Sequence, residues 1–333
     1  MFKMIAAGAG VLIAARAIAR RGASFSFRDR VVLITGGSRG LGLVMARELA
    51  REGARLAICS RDEQELARAR DELAGMGADV LAIPCDVSDR SQVEEMIRSA
   101  EDYFGRIDVL VNNAGVIEVG PMDVMTLQDY EESMKIHFWG PLYATLAALP
   151  GMRRRGEGRI VNISSIGGKI SVPHLLPYSA SKFALTGLSE GLRAELAADG
   201  IVVTTVCPGL MRTGSPYNAD FKGRHRQEFA WFSISDSLPL ITTSAERAAR
   251  QVIAACRRGD AEIVLTVPAK LAALFHGIFP GLTADLLGMM NKLLPEPGGI
   301  GEARAKGKDS ASPVSPSWLT TLSDRAAAAN NEL

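Results

Sequence analysis

Short segments of continuously apolar residues recur along this chain of 333 residues, and they restrict its fold more than any other feature. Two of them, VVLIT at 31–35 and IVVTTV at 201–206, lack the polar–apolar alternation of a strand with one face in water. Strands without that alternation are buried on both faces, as in parallel sheets. Charged, amphipathic stretches of helix-forming composition, such as 62–76 and 89–103, lie between them. The seven predicted strands are 31–35, 55–60, 79–85, 107–112, 159–164, 201–206 and 261–266.

Seven strands alternating with crossover helices predict an α/β fold with a Rossmann-like, doubly wound parallel sheet. The composition, 47% hydrophobic and 23% charged, is ordinary for a globular protein with a sizeable core. A formal net charge of +1 without a long basic run argues against a nucleic-acid partner. The four cysteines form no CxxC pair, so we interpret them as buried free thiols in a reducing compartment and predict no metal site.

The first part of the chain, residues 1–29, is apolar and then basic. An apolar run at 4–15 precedes Arg16, Arg20 and Arg21, and it is shorter than the roughly twenty residues that span a bilayer. It fits a signal peptide, a short helix packed on the protein, or an anchor at one membrane face. We predict the anchor, with the protein in the cytoplasm and peripheral on that face of the membrane, because arginines favour the cytoplasmic side.

Two segments follow the last predicted strand. Residues 267–294 place leucine, phenylalanine and methionine at helical spacing, which predicts amphipathic helices that cover the core, form a subunit interface or contact a membrane. Residues 295–333 are rich in glycine, proline, serine and charge, which predicts a largely disordered tail.

A glycine-rich loop, TGGSRGLG at 35–42, joins the first predicted strand to a helix. Glycines at 36, 40 and 42 would permit a tight turn, close approach of a pyrophosphate and tight packing of helix on strand. The phosphates would face the N–H groups and positive dipole end of that helix. This context predicts a dinucleotide site.

The end of the second strand indicates which dinucleotide binds. An acidic residue there usually binds the adenosine 2′-hydroxyl of NAD, but this chain has Ser60 and Arg61. Arg39 in the glycine loop adds a second guanidinium group, unless both arginines are only solvated. Two arginines and no carboxylate suit a 2′-phosphate, so we predict NADP(H) rather than NAD(H).

The chain resembles the short-chain dehydrogenase/reductase family in three motifs that follow one another in the family's order. They are the glycine loop, NNAG at 112–115 and YSASK at 178–182. The similarity covers about residues 30–266 and implies a catalytic domain that interconverts a carbonyl and a secondary alcohol, commonly as a homodimer or homotetramer. It implies Ser165, Tyr178 and Lys182 as catalytic residues. The predicted cofactor-binding residues are Gly36, Ser38, Arg39, Gly40, Leu41, Ser60, Arg61, Asp86, Val87, Asn113, Ala114, Gly115, Tyr178, Lys182, Pro208, Gly209 and Thr213.

The spacing of Tyr178 and Lys182 has a physical reason. Residues four apart share one face of a helix, although alone such a pair could be an ordinary surface contact. A free tyrosine has a pKa of about 10, and an adjacent ammonium together with an oxidised nicotinamide would lower it. Ser165 would donate a hydrogen bond to the substrate oxygen, where negative charge develops.

His137 departs from the family pattern, because the segment KIHFWG has histidine in the slot of a family asparagine. That asparagine holds a water that links the active-site lysine to solvent. Histidine donates and accepts hydrogen bonds, so we predict a catalytic relay role for it. The alternatives are a disabled relay, or a structural histidine packed against Phe138 and Trp139.

The segment 214–240 lies where the family has its substrate lid, and it is rich in aromatic residues. Such a lid predicts an apolar lipid, steroid or fatty-acyl-like substrate, unless the rings only pack the lid onto the body. Two alternatives to an apolar carbonyl reductase stay open. One is a 3-oxoacyl carrier-protein reductase, and the other is a catalytically weak, cofactor-binding regulatory protein on the same fold.

Overall fold

A computed structural model of the chain describes residues 25–239, 241–312, 315–317 and 320–333. Most of the predicted membrane anchor, residues 1–24, lies outside the described residues. No helix within the described ranges combines the length and apolar character needed to cross a membrane.

The core of the protein is the predicted seven-stranded parallel sheet. Its strands run in the order β11-β7-β6-β4-β1-β2-β3, with each neighbouring pair parallel. The sheet strands are β1 (Val31–Thr35), β2 (Arg55–Ser60), β3 (Val80–Pro84), β4 (Val109–Asn112), β6 (Gly158–Ile163), β7 (Ile201–Cys207) and β11 (Glu262–Val264). The predicted fold class is confirmed, and all seven predicted strands lie within two residues of the observed bounds.

Helices cover both faces of the sheet, which explains why its strands lack alternation. The helices are α1 (Gly40–Arg51), α2 (Glu63–Gly75), α3 (Arg90–Phe104), α4 (Leu127–Met134), α5 (Gly140–Arg155), α6 (Leu176–Glu195), α7 (Ser215–Asn218), α8 (His225–Ser237), α9 (Ala245–Arg258), α10 (Val267–Ile278), α11 (Pro280–Asn291) and α12 (Thr321–Ala329). On one face, Leu43 of α1 and Val252 of α9 join the core; on the other, Met96 of α3 and Ala148 of α5 do so.

Polar residues begin these helices, as the sequence pattern suggests. The side chains of Asp62 and Asp89 accept hydrogen bonds from the first backbone N–H groups of α2 and α3. The Ser244 side chain caps the start of α9 in the same way. Gly259, with φ of +68°, follows the last residue of that helix.

Two small sheets attach the lid to the body. The extra strands are β5 (Glu118–Val119), β8 (Met211–Arg212), β9 (Asp220–Phe221), β10 (Thr243–Ser244) and β12 (Ala305–Lys306). The lid strand β9 lies between β5 of the body and β12, while β8 pairs with β10. This arrangement holds α8 over the carboxyl ends of the sheet strands.

The prediction of a disordered tail at 295–333 is wrong for the described part of that segment. It contains β12 and α12, and β12 pairs antiparallel with β9. Arg304 bonds to the buried Asp129 at 2.6 Å and to Glu132 at 2.6 Å. Tyr217 donates to Asp324 at 2.6 Å. The composition of a segment shows how much apolar surface it can bury. It does not show whether polar contacts to an already folded surface can hold the segment, as they do here.

The helices predicted over 267–294 are present as α10 and α11, but they do not cover the core. Apolar side chains along both helices are largely exposed, with Leu274 62% and Ile278 59% accessible. Of the three predicted roles of these helices, a subunit interface and a membrane contact therefore remain.

Candidate active site

A cavity of about 930 Å³ lies at the carboxyl ends of the parallel strands, where ligands bind in open α/β sheets. Gly36 follows β1, Asn113 follows β4, Ser165 follows β6 and Pro208 follows β7, so four chain segments converge on it. Every predicted site residue lines this cavity, including His137 and the adenosine-end residues Ser60, Arg61, Asp86 and Val87. The roles of these residues stay predictions, but the fold brings them all together.

The glycine loop is shaped by close approach of backbone to backbone. Gly36 has φ of +64°, and a Cβ there would lie 2.9 Å from the Cα of Ala114. A Cβ on Gly42 would lie 2.0 Å from the carbonyl oxygen of Gly36. Asn113 supports this turn, because its Nδ2 donates to the carbonyl oxygens of Thr35 and Gly36, both at 3.0 Å. The glycines of the loop therefore place no side chain of their own where a pyrophosphate would approach the backbone.

The two arginines at the adenosine end differ in their partners. Arg39 pairs with Glu65 at 2.8 Å, so it is not merely solvated. The side chain of Arg61 is 59% exposed and lies 3.9 Å from Asp86. Arg61 is therefore the more available of the two for a ligand.

The predicted catalytic residues lie at the end of β6 and on α6. Ser165 accepts a hydrogen bond from the Gly167 N–H at 3.0 Å, which fixes its hydroxyl at the cavity wall. Lys182 lies one turn after Tyr178, and its Nζ is 5.7 Å from the centre of the Tyr178 ring. Nζ also donates to the Ile163 carbonyl oxygen at 2.9 Å, so the lysine is held by the sheet as well as by its helix.

Burial controls the protonation of Tyr178 and Lys182 in the protein without cofactor. Burial raises the pKa of Tyr178 to about 12, and the hydrogen bond with Ser165 only partly opposes that effect. Burial also lowers the pKa of Lys182 to about 7. Desolvation disfavours both charged forms in the protein without cofactor, and the lowering of the Tyr178 pKa expected with an oxidised nicotinamide bound stays a prediction. Tyr178 is therefore a phenol, the form that can donate a proton.

His137 is fully buried, and both of its ring nitrogens have protein partners. Nε2 lies 3.1 Å from the Val116 N–H and accepts from it. Nδ1 lies 2.8 Å from the hydroxyl of Ser181, which itself donates to the Tyr178 carbonyl oxygen. Nε2 accepts from a backbone N–H and so carries no proton. The Ser181 hydroxyl already donates elsewhere, so Nδ1 must carry the ring proton and donate to it. Burial and the charge of Lys182 lower the pKa of His137 well below its usual value, in agreement with a neutral ring.

This geometry gives His137 a bridging position between the segment after β4 and the catalytic helix. Its ring meets the Tyr178 ring edge-on, with centroids 5.5 Å apart. Neither nitrogen is free to hold a water, so the contacts favour the structural alternative over the predicted relay.

The lid contributes fewer aromatic side chains to the cavity than its composition suggests. Phe221 and Phe229 are buried within the lid's own apolar cluster, and Trp231 and Phe232 line the cavity. Two acidic residues that the sequence analysis did not single out, Asp236 and Glu332, also line it. Neither belongs to a recognisable motif, so only the tertiary structure shows that they reach the site.

Comparison with known proteins identifies the family of this chain. Residues 30–220 match the family model described as short chain dehydrogenase. The chain belongs to the short-chain dehydrogenase/reductase family. It is therefore an oxidoreductase of a family that acts on carbonyl and alcohol groups, often oligomerises and binds NAD or NADP.

Individual relatives cover different shares of the chain. Ketoacyl reductase HetN of Nostoc is 39% identical over 180 residues, which are 54% of this chain and 63% of that protein. The uncharacterized oxidoreductase YxnA of Bacillus subtilis is 32% identical over 263 residues, 78% of this chain and 72% of that protein. A short-chain dehydrogenase/reductase from Burkholderia phymatum, solved in complex with NAD, has a TM-score of 0.72 at 26% identity. That similarity covers 78% of this chain and 96% of the Burkholderia chain.

Proposed function

We propose that the protein is an NADP(H)-dependent oxidoreductase that interconverts a carbonyl and a secondary alcohol on a mainly apolar substrate. The observation that carries this proposal is the convergence of Ser165, Tyr178 and Lys182 with the glycine loop in one cavity. A bound nicotinamide cofactor would supply or accept the hydride.

The chain's own residues handle the proton and the developing charge. In reduction, the Tyr178 phenol gives its proton to the carbonyl oxygen, while Ser165 donates a hydrogen bond to that oxygen. Lys182 stabilises the phenolate that remains and would contact ribose hydroxyl groups. Oxidation of an alcohol follows the reverse path.

Screening the purified protein against a panel of ketones, aldehydes and alcohols, with NADPH or NADP absorbance as the readout, tests this activity. We expect turnover with apolar carbonyl compounds. Tight cofactor binding without turnover of any compound would favour the regulatory alternative.

The preference for NADP(H) follows from Arg39, Ser60 and Arg61 at the adenosine end of the cavity. Replacing both arginines by alanine should weaken NADPH binding at least about tenfold, since charge-assisted hydrogen bonds contribute about 1.5–3 kcal/mol each. NADH binding should change little. Equal affinity of the unmodified protein for both cofactors, measured by calorimetry, would contradict the preference.

The substrate preference follows from Trp231 and Phe232 in the cavity wall. A ketoacyl substrate is the second candidate, and the likeness to a protein named ketoacyl reductase favours it. A panel that includes 3-oxoacyl thioesters beside simple apolar ketones distinguishes the two by their kcat/KM values.

We also propose a cytoplasmic homodimer or homotetramer that contacts a membrane surface. The exposed apolar side chains of α10 and α11 support a covered face. Light scattering tests the oligomeric state, and flotation with anionic vesicles tests the membrane contact. A monomer that does not float would refute both.

A further inference from the structure

Asp236 is a buried carboxyl group in the cavity wall whose oxygens have no partner in the part of the chain that the structure describes. It lies near the end of α8, is 5% exposed and lines the cavity together with Trp231 and Phe232. Within the described residues, its carboxylate neither accepts a hydrogen bond nor pairs with a cation. Burial accordingly raises its pKa to about 8. Its charge also raises the pKa of Tyr178, as expected for two groups that share one cavity.

Glu228, two turns earlier on the same helix, shows how this fold treats a buried carboxylate that only has a structural role. Its two oxygens are bonded to His174 Nδ1 at 2.8 Å and to Trp231 Nε1 at 2.6 Å. Buried polar groups are nearly always satisfied in this way, because an unpaired one costs free energy. Asp236 is an exception whose open side faces the substrate space.

We propose that Asp236 determines substrate specificity by accepting a hydrogen bond from a hydroxyl group distant from the reacting carbonyl. This inference rests on the proposed function. The substrate is then a ketone with one distal hydroxyl, and the rings of Trp231 and Phe232 in the same wall favour an otherwise apolar molecule. A site built around such a bond discriminates strongly, because an analogue without the hydroxyl leaves the buried carboxyl group of Asp236 unpaired.

The test uses straight-chain methyl ketones of increasing length and the same ketones with a terminal hydroxyl group. For the unmodified protein we expect kcat/KM to favour the hydroxylated member by at least about tenfold at one chain length. Asp236→Leu should abolish that preference, so that the ratio of the two kcat/KM values in each ketone pair falls to about one. Ser237→Ala is the matched control, because its hydroxyl bonds Ser233 and Ser323 and does not line the cavity.

Calorimetric binding of the same ketones to the protein with NADPH provides a second readout. If no ketone is reduced, the proposed function fails, and the binding preference still decides the role of Asp236. Equal use of both members of every pair, or a preference that persists in Asp236→Leu, would overturn the inference.

A second, independent observation concerns residues 330–332, which lie on the glycine loop. The Gly40 N–H at the start of α1 donates to the Asn330 carbonyl oxygen at 2.9 Å. Asn331 Nδ2 donates to the Ser38 carbonyl oxygen at 2.9 Å, and its Oδ1 accepts from Arg68 at 2.8 Å. These three residues, here called the strap, are therefore fixed directly on the predicted pyrophosphate site.

The carboxylate of Glu332 occupies the space that the glycines leave open. Its Oε2 accepts from the Gly214 N–H at 2.6 Å, and its Oε1 is 2.9 Å from the position of a Cβ on Gly40. It stands at the N-terminus of α1, where the helix dipole favours an anion. A pyrophosphate needs the same glycine surface and carries the same sign of charge.

We infer that the strap is autoinhibitory and must leave the glycine loop before the cofactor binds. Its carboxylate takes the anion position at the helix N-terminus, and the Gly40 N–H is already used by Asn330. Cofactor affinity is then reduced by the fraction of molecules in which the strap is seated.

Calorimetric titration with NADPH tests the strap in a variant that lacks residues 330–333. A second variant, Asn331→Ala with Glu332→Gln, keeps the chain length in case the shortened protein does not fold. Both should bind NADPH at least about tenfold more tightly than the full chain. Lys308→Ala, an exposed change in the same segment, is the control.

Unchanged or weaker binding in both variants would overturn the inference and make the strap a wall of the cofactor site. If neither the full chain nor the variants bind NADPH, the proposed cofactor fails and the strap inference fails with it. Binding by the variants alone would be the strongest support.

Discussion

Tyr178 and Lys182 stand one helical turn apart, and burial moves their pKa values away from each other. The phenol pKa rises to about 12 while the lysine pKa falls to about 7, so both side chains are neutral above about pH 7 in the protein alone. A phenol is the right form for a proton donor in reduction. Oxidation needs a phenolate, which the positive charge of an oxidised nicotinamide would help to stabilise.

At this scale we predict that Tyr178→Phe lowers kcat by at least about a hundredfold, because it removes the proton donor. The NADPH dissociation constant should stay within about threefold, since the ring and its packing remain. Tyr103→Phe, a change at an exposed ring on α3, is the control. Residual turnover within tenfold of the unmodified protein would refute the assignment.

The segment Lys135–Trp139, between α4 and α5, is a single π-helical turn. Such turns often occur at functional sites, and this one turns His137 inward between the segment after β4 and α6. The element therefore positions the helix that carries Tyr178 and Lys182. Gly115 lies beside it, since a Cβ there would be 3.0 Å from His137 Nε2.

We predict that His137→Phe lowers the free energy of unfolding by about 2 kcal/mol, because the Val116 N–H and the Ser181 hydroxyl lose a buried partner. Urea unfolding without cofactor measures it. In a double-mutant cycle with Ser181→Ala, the two losses should not add. Unchanged stability combined with lost turnover would instead restore the relay role predicted from the sequence.

Across the whole molecule, the segment after α11 connects the lid, the body and the glycine loop. Arg304 lies at the centre of these contacts, next to the buried Glu118 and Asp129, and Lys222 also pairs with Asp129 at 2.5 Å. Burial raises the pKa of Glu118 to about 7, with Arg304 opposing the shift. The position of the lid over the cavity thus depends on charges contributed by distant parts of the chain.

We predict that Arg304→Ala lowers the free energy of unfolding by about 2 kcal/mol above pH 7, because it leaves buried carboxylates underpaired. A carboxyl with a raised folded-state pKa contributes stability at acid pH that is lost as the pH rises through about 7. The effect should therefore shrink toward roughly pH 5, where Glu118 is protonated, while Asp129 keeps part of it.

Urea unfolding at both pH values measures this difference, with Arg98→Ala in an exposed ion pair as the control. An effect of Arg304→Ala that does not depend on pH would mean that the protonation of Glu118 does not control the loss of stability.

The sequence by itself determined the sheet, the glycine loop and the positions of Ser165, Tyr178 and Lys182, because each depends on local signals. Burial on both faces removes alternation from strands, glycine permits close backbone approach, and a spacing of four places two side chains on one helix face. Only the tertiary structure decided the rest. Whether Tyr178 is charged depends on desolvation by distant residues, and the pairing of β12 in the C-terminal segment depends on a surface that exists only after folding. The same holds for Asp236 and Glu332, which reach the cavity through long-range packing that no short motif records.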